Sequence, residues 1–385
     1  MDMKKHRILA AGCSLVIGMC VCGVTAQEQF RVYFGTYTQG EGGGIFQSTL
    51  DMNTGQLSEA TLAGEAVRPG FLAIHPDGKH LYSVGELSGF EGKSADSICA
   101  FEINPDDGKL KALNAQPGGG QEPCHLVIDP SGRNVLSAQY GGGNCSVFPL
   151  NADGSLGPRS SLKQHTGFSG VNLKRQTAPH AHSINLDPAG RIAVVADLGK
   201  DQVLIYRFNA DTGILTPNEP AFVQTAPGGG PRHFVFHPSG KFAYVNLEMT
   251  SQVTALDYDE ERGSLTLSQT LSTLPSEFKG NSSTAEIRIS PDGRFLYVSN
   301  RGHDSIALFS IEQKTGALTP LGHEPTRGKV PRNFNIDPTG RYMVVANQRS
   351  DNITVFNIDP RTGALSFTGS EIRVPKPVCV RFLPK

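Results

Sequence analysis

Residues 228 to 248 read GGGPRHFVFHPSGKFAYVNLE. A glycine-rich approach leads into an apolar strand over 234–237, a Pro-Ser-Gly turn, and a second strand over 242–246 that runs on to a carboxylate at Glu248. Two apolar runs about such a turn predict an antiparallel hairpin, in which the start of the first strand lies beside the end of the second. Arg232 and Glu248, 16 residues apart in sequence, are therefore expected at one mouth.

The same unit recurs. Pro-x-Gly turns begin at His75, Asp129, Asp187, His237, Ser290 and Asp337, at separations of 54, 58, 50, 53 and 47 residues. A period of roughly 50 is that of propeller blades. Each turn is followed by a second apolar strand and then a third, clearest at 202–206, 305–309 and 352–356. Tight turns at Thr212-Gly213, Thr315-Gly316 and Thr362-Gly363 lead into a fourth, and four strands per repeat make a blade. Outside the six full copies, residues 32–57 match strands two to four of a repeat, and residues 377–382 match a first strand. Joining them closes a ring and removes the open edges that invite aggregation. The expectation is an all-β protein: a seven-bladed β-propeller over residues 27–385, with the terminal strands sharing one blade.

Composition agrees. Among 385 residues, 44 are Gly and 25 Pro, which suits short strands joined by turns, and a formal net charge of -1 offers no field for nucleic acid or an anionic membrane. The chain has no Trp, so the Trp-Asp pair of WD40 blades is absent. Lys4, Lys5 and Arg7 precede an apolar run over 8–24 that closes on Val24-Thr25-Ala26. This reads as a signal peptide over 1–26, cleaved to leave Gln27, because the run is short for a membrane span. The mature protein is expected to be exported, periplasmic or extracellular, with no stable membrane insertion. Cys99, Cys124, Cys145 and Cys379 sit in apolar, strand-like runs and read as buried thiols. Nothing in the sequence speaks to oligomeric state.

Aligning the blades locates the chemistry. Five residues before each turn, at the mouth end of the innermost strand, the copies read Gly70, Cys124, His182, Arg232, Ala285 and Arg332; the next residues are Phe71, His125, Ser183, His233, Glu286 and Asn333. The far end of the second strand reads Glu86, Tyr140, Leu198, Glu248, Arg301 and Gln348. A purely structural repeat needs apolar or small residues at these places. His182, Arg232, Glu248, Glu286, Arg301 and Arg332 stand out, with His233 and His180 beside them. A Glu and an Arg at a channel mouth also fit a solvated or structural ion pair. His180 and His182 form a His-x-His that could begin a metal site, but no third ligand is spaced to join them. His75 and His237 occupy the turn position filled elsewhere by Asp, a structural role. The glycine triplets at 118–120 and 228–230 could cradle phosphate, yet neither opens a helix.

The segments Pro231-Arg232-His233, Ala285-Glu286-Ile287-Arg288 and Ser299-Asn300-Arg301-Gly302 resemble the signature segments of the bacterial lactonase family of seven-bladed propellers. That family includes a 6-phosphogluconolactonase and is similar to the fungal 3-carboxy-cis,cis-muconate lactonising enzyme, and the resemblance spans residues 27–385. It implies a lactone as small-molecule substrate and no cofactor. In the muconate enzyme a His, two Arg and a Glu at the channel mouth are implicated; the matching positions are His182, Arg232 and Glu248, with Arg301 as second arginine and Arg288 and Arg332 also within reach of that role. An export signal departs from a cytoplasmic sugar-phosphate enzyme.

The residue types fit that chemistry. Lactone hydrolysis needs a base for water, which His182 or Glu248 can supply, and positive charge where the carbonyl oxygen becomes negative, which Arg232 and Arg301 can supply. Arg332, Glu286, His233 and His180 are the candidate substrate-binding groups, and no metal is assigned. The competing readings are a muconate-type cycloisomerase and a non-catalytic propeller that binds protein or polysaccharide. Polar groups buried in the mouth favour an enzyme, and an exposed apolar rim favours a binder.

Overall fold

The computed structural model describes residues 28–90 and 93–385; the expected signal segment and the new N-terminus at Gln27 lie outside them. Seven four-stranded antiparallel sheets follow one another in chain order, except that the first is completed by the last strand. Blade 5 is Pro231–Phe236, Phe242–Leu247, Gln252–Asp259 and Ser264–Ser272 from the axis outward. Blade 1 places Pro377–Pro384 innermost, paired with Gln29–Thr36. Innermost strands of successive blades touch around the full circle, including Pro377–Pro384 with both neighbours. The seven-bladed ring and its terminal closure are as the repeat predicts.

Sheets packed face to face bury both sides of their central strands. Every residue of Phe242–Leu247, Ile192–Asp197 and Tyr342–Asn347 is buried, whereas the outermost strand Ser264–Ser272 is largely open to water. The core therefore lies between blades: Tyr244 and Val253 of blade 5 pack against Ile287, Leu296 and Val298 of blade 6. Each such side chain contributes about 1.5–3 kcal/mol on burial. Tyrosines stitch neighbours together, with Tyr33, Tyr82, Tyr244 and Tyr297 donating to the carbonyls of Gly108, Gly154, Gly316 and Gly363 at 2.8–2.9 Å.

The two ends of each hairpin do different work. At the turn end, Gly240 sits at φ 67°, a left-handed conformation that favours glycine, and its N–H donates to the His237 carbonyl at 2.9 Å. At the mouth end, Pro231 pairs with Leu247 and Phe234 with Val245, so that Arg232 and His233 together oppose Asn246. Equivalent bulges fall at Cys124, His182, Ala285–Glu286 and Arg332. A bulge kinks the strand and re-aims its side chains, and here it does so at the positions that deviate from the repeat.

Candidate active site

Glu248 follows the second strand of blade 5 and is buried at the mouth. Three guanidiniums converge on it: Arg232 Nε lies 2.9 Å from Oε2, Arg301 Nη2 3.2 Å from Oε2, and Arg175 Nη2 2.9 Å from Oε1. His182 Nε2 stands 3.7 Å from Oε2. Burial opposes ionisation, but the Arg301, Arg232 and Arg175 guanidiniums together hold the carboxyl well below the usual carboxylate range. A carboxylate held in this way is a poor proton acceptor at neutral pH and a strong organiser of cations.

His182 shows the opposite balance. Burial, and then the Arg232 charge, push its imidazole well below the ordinary histidine range, with Glu248 only partly offsetting them. A neutral imidazole keeps a lone pair available. Its Nδ1 lies 3.8 Å from the Cys124 sulfur, whose thiol burial pushes up to about 12, leaving it protonated.

Beneath these groups runs a second layer. Arg232 Nη1 donates to the Ala285 carbonyl and to His233 Nε2, the latter at 3.1 Å. His233 Nδ1 in turn donates to Glu286 Oε1 at 3.0 Å, and Glu286 Oε2 accepts from Asn333 Nδ2. Because the Arg232 Nε–H is not aimed along its 2.9 Å approach to Glu248, that contact is an ion pair rather than a directed hydrogen bond. Burial and the nearby Arg301 and Arg332 push the Arg232 pKa down to about 9. Three imidazoles cluster on the axis, with His233 ring centroids 5.2 Å from His125 and 5.5 Å from His182.

Above lies a cavity of about 480 Å³, lined by His182, Glu248, Arg301 and Arg332 together with Tyr37, Arg68, Glu86, Asp96, Glu122, Cys124, Tyr140 and Arg175. A constriction between Phe71, His182, Arg232, His233 and Arg332 continues inward, with room for about one water. Of the residues singled out in the sequence, His182, Glu248, Arg301 and Arg332 thus face the cavity. Arg232 forms its floor. His233 and Glu286 lie under Arg232, and Arg288 Nη2 is 3.5 Å from Glu286 rather than at Glu248. His180 does not line the cavity: its ring stacks on Tyr140 at 4.4 Å and its Nδ1 donates to the Tyr140 carbonyl at 3.0 Å. The glycine triplet at 228–230 spends its Gly228 and Gly230 N–H groups on the Asp201 carboxylate at 2.7 and 2.8 Å, which leaves no phosphate cradle.

Sequence reasoning missed Arg175 and Tyr37, and it placed Cys124 and Tyr140 at the mouth without giving them a role. Arg175 belongs to the connection between Ser161–Gln164 and Ala181–Leu186, which arches over the mouth. The arch is tied down by Gln176 and Ser169, donating to Asp201 at 2.7 and 2.6 Å, so that Arg175 reaches both Glu248 and the Tyr140 hydroxyl at 3.0 Å. The signal was the 58-residue spacing, the longest of the set, which marks an insertion there. The arch also exposes Phe168, Val171 and Leu173, so an apolar rim and a polar cavity occur side by side. Arg332 is the cavity arginine without a carboxylate partner among the described residues; its guanidinium lies over the Tyr37 ring at 5.2 Å.

Comparison with known proteins agrees with this fold. The family model described as lactonase, seven-bladed β-propeller, matches residues 31–382. The chain is 39% identical over 351 residues to a 6-phosphogluconolactonase of Bacillus subtilis, covering 91% of this chain and 97% of that protein. Among solved structures, a periplasmic gluconolactonase of Pseudomonas aeruginosa superposes with TM-score 0.86 at 32% identity, over 92% of this chain and 99% of that one. A Bacteroides fragilis protein gives TM-score 0.85 at 35% identity, over 93% and 99%. A polar cavity at one end of a closed seven-bladed ring, and relatives aligned along nearly their whole length, lead to one conclusion: the chain belongs to the lactonase family of seven-bladed β-propellers and is a lactone-hydrolysing enzyme.

Proposed function

We propose that this enzyme is exported and hydrolyses unphosphorylated sugar lactones, with His182 as base and the arginines around Glu248 as the electrostatic frame. One observation carries the reading: a neutral imidazole and three guanidiniums, Arg175, Arg232 and Arg301, gather on one ionised carboxylate, with Arg332 lining the same cavity. His182 removes a proton from water as its oxygen attacks the lactone carbonyl carbon, and Arg301 and Arg332 face the oxygen that becomes negative. The ring C–O bond then breaks, and His182 returns the proton to the departing ring oxygen. The product is an open-chain hydroxy acid, whose carboxyl group releases its remaining proton to solvent and lies as a carboxylate among arginines. Glu248, 3.7 Å from His182 Nε2, stabilises the transient imidazolium and keeps Arg232 and Arg301 in place. It is assigned here as organiser rather than base, because its cations depress its basicity.

The cavity has an acidic side as well. Glu86, Asp96 and Glu122 line it; Glu86 pairs with Arg68 at 2.9 Å, and Asp96 accepts the Glu122 N–H at 2.8 Å. Carboxylates accept hydrogen bonds from sugar hydroxyls and repel a phosphate dianion. The apolar run with its small-residue end at 1–26 supports export, and one relative of similar structure is named a periplasmic gluconolactonase. Assay of the purified mature protein on glucono-1,5-lactone and on its 6-phosphate tests the reading. The expected result is faster turnover of the unphosphorylated lactone and loss of activity in His182→Ala. Hydrolysis no faster than the spontaneous reaction, or a fully active His182→Ala, overturns it.

A further inference from the structure

At the end of the channel away from the cavity, the hairpin turn of blade 2 reads His75-Pro76-Asp77-Gly78-Lys79-His80, and its counterpart in blade 5 reads His237-Pro238-Ser239-Gly240-Lys241-Phe242. In both, the histidine Nε2 lies against a glycine carbonyl of the next blade, His75 at 2.7 Å from Gly132 and His237 at 2.9 Å from Gly293. A carbonyl only accepts, so each ring carries its proton on Nε2 and presents a lone pair at Nδ1. A backbone N–H points to that lone pair at 3.1 Å in each turn, from Asp77 or from Ser239.

The third group differs. Ser239 Oγ, 2.8 Å from His237 Nδ1, is a hydroxyl and can donate. Asp77 Oδ1, 2.9 Å from His75 Nδ1, is a carboxylate oxygen and cannot. Asp77 Oδ1 also accepts the Lys79 N–H at 2.7 Å, so the backbone already supplies one donor to each atom, yet two acceptors only 2.9 Å apart still repel unless a proton or a metal ion lies between them. His80 adds a second imidazole, with Nδ1 2.9 Å from Asp77 Oδ2, at a position that the other blades fill with Asn134, Ile192, Phe242, Phe295 and Tyr342. Donor atoms of His75, Asp77 and His80 all lie within 4.8 Å of one another. Their side chains are 16%, 32% and 14% exposed, fixed but reachable from solvent.

We propose that His75, Asp77 and His80 form a binding site for a divalent transition cation of the zinc class, held by two imidazole nitrogens and one carboxylate oxygen with water completing the tetrahedron. The His75 Nε2–H on the Gly132 carbonyl is the outer bond that fixes the tautomer of such a ligand. The ion closes the blade 2 turn and fixes the His75 ring that bonds the Gly132 carbonyl of blade 3, and it takes no part in the reaction at the opposite end.

The blade 5 turn supplies the variants. Asp77→Ser and His80→Phe import its residues, and the aromatic is accommodated: the His80 ring lies over Gly154 as the Phe242 ring lies over Gly316, each too close for an added Cβ, at 2.2 and 2.5 Å. Tag-free mature protein, freed of metal by chelation, is titrated with Zn²⁺ by calorimetry and with Co²⁺ by visible absorption. The wild type is expected to bind one ion per chain and to melt higher with zinc. Each variant should bind about tenfold or more weakly, lose the zinc-dependent melting shift, and keep its lactone turnover. Equal zinc affinity in wild type and both variants overturns the assignment. So does a melting temperature that responds to pH but not to zinc, which makes the cation a proton.

Discussion

At the turn end of blade 5, His237 bonds a carbonyl of the next blade; at the mouth end of the same hairpin, Arg232 and Glu248 meet the side chains of other blades. The turn end repeats: Asp129, Asp187 and Asp337 each accept backbone N–H groups of their own turn, and His75 and His237 reach to the next one. The mouth end does not repeat. Its bulges carry Cys124, His182, Arg232 and Arg332 in turn. Every blade has the same hairpin to close, so the turn solutions converge. A ligand on the axis is not sevenfold symmetric, so blades facing different parts of it carry different residues.

The largest test removes what both ends share. Deleting residues 378–385 takes the innermost strand from blade 1 and leaves Gln29–Thr36 as an open edge. The loss is expected to exceed the about 5–15 kcal/mol that holds a domain together, so thermal unfolding should show no cooperative transition. A truncated protein melting like the full one would contradict closure through Pro377–Pro384.

Next is Glu248→Gln. Although the substitution keeps size, it turns one acceptor oxygen into an NH2 donor and strips the shared counter-charge from buried Arg232 and half-buried Arg301. A destabilisation of about 3–5 kcal/mol in denaturant unfolding is expected, along with lost turnover. Unchanged stability would show that the mouth tolerates its cations without Glu248. Arg232→Lys follows. A lysine cannot hold the Ala285 carbonyl, His233 Nε2 and Glu248 at once, so kcat/KM should fall by about 10²-fold while the fold persists.

The axial histidines give a pH test. Burial, together with nearby cationic groups, holds His125, His182 and His233 well below the ordinary 6.5, so the unfolded chain takes up protons first as pH falls. A group depressed in this way contributes stability that is present above pH 6.5 and lost as pH drops toward its folded value. Each contributes a slope of about 1.4 kcal/mol per pH unit in that window. His125→Phe, beside Phe71 at 4.2 Å, should lower the slope measured by denaturation at pH 5 to 6.5 by about that amount. An unchanged slope would mean that His125 titrates alike in both states. The smallest effect belongs to the turn end: His237→Asp imports the residue of blade 3 and should cost about 1 kcal/mol or less with full lactone turnover. A selective loss of activity there would break the division between the two ends.

Sequence alone determined the blade count, the shared terminal blade and the presence of His182, Arg232, Glu248, Arg301 and Arg332 at one mouth. These follow from turns, alternating apolar runs and a period near 50, all of which are local patterns that a repeat displays many times. It could not assign depth. Arg232 and His233 are neighbours in the chain, and only the bulge opposite Asn246 brings both to the axis, one as floor and the other beneath it. Nor could it place Arg175, 73 residues from Glu248, because that contact depends on how the arch is anchored at Asp201. Basicity was equally out of reach. Glu248 and His182 are both possible bases by residue type, and only the three guanidiniums gathered on one of them separate their affinities for a proton. Charge interactions depend on distances and burial that no local pattern records, and for that reason the fold was legible in the sequence while the division of labour within the site waited on the tertiary structure.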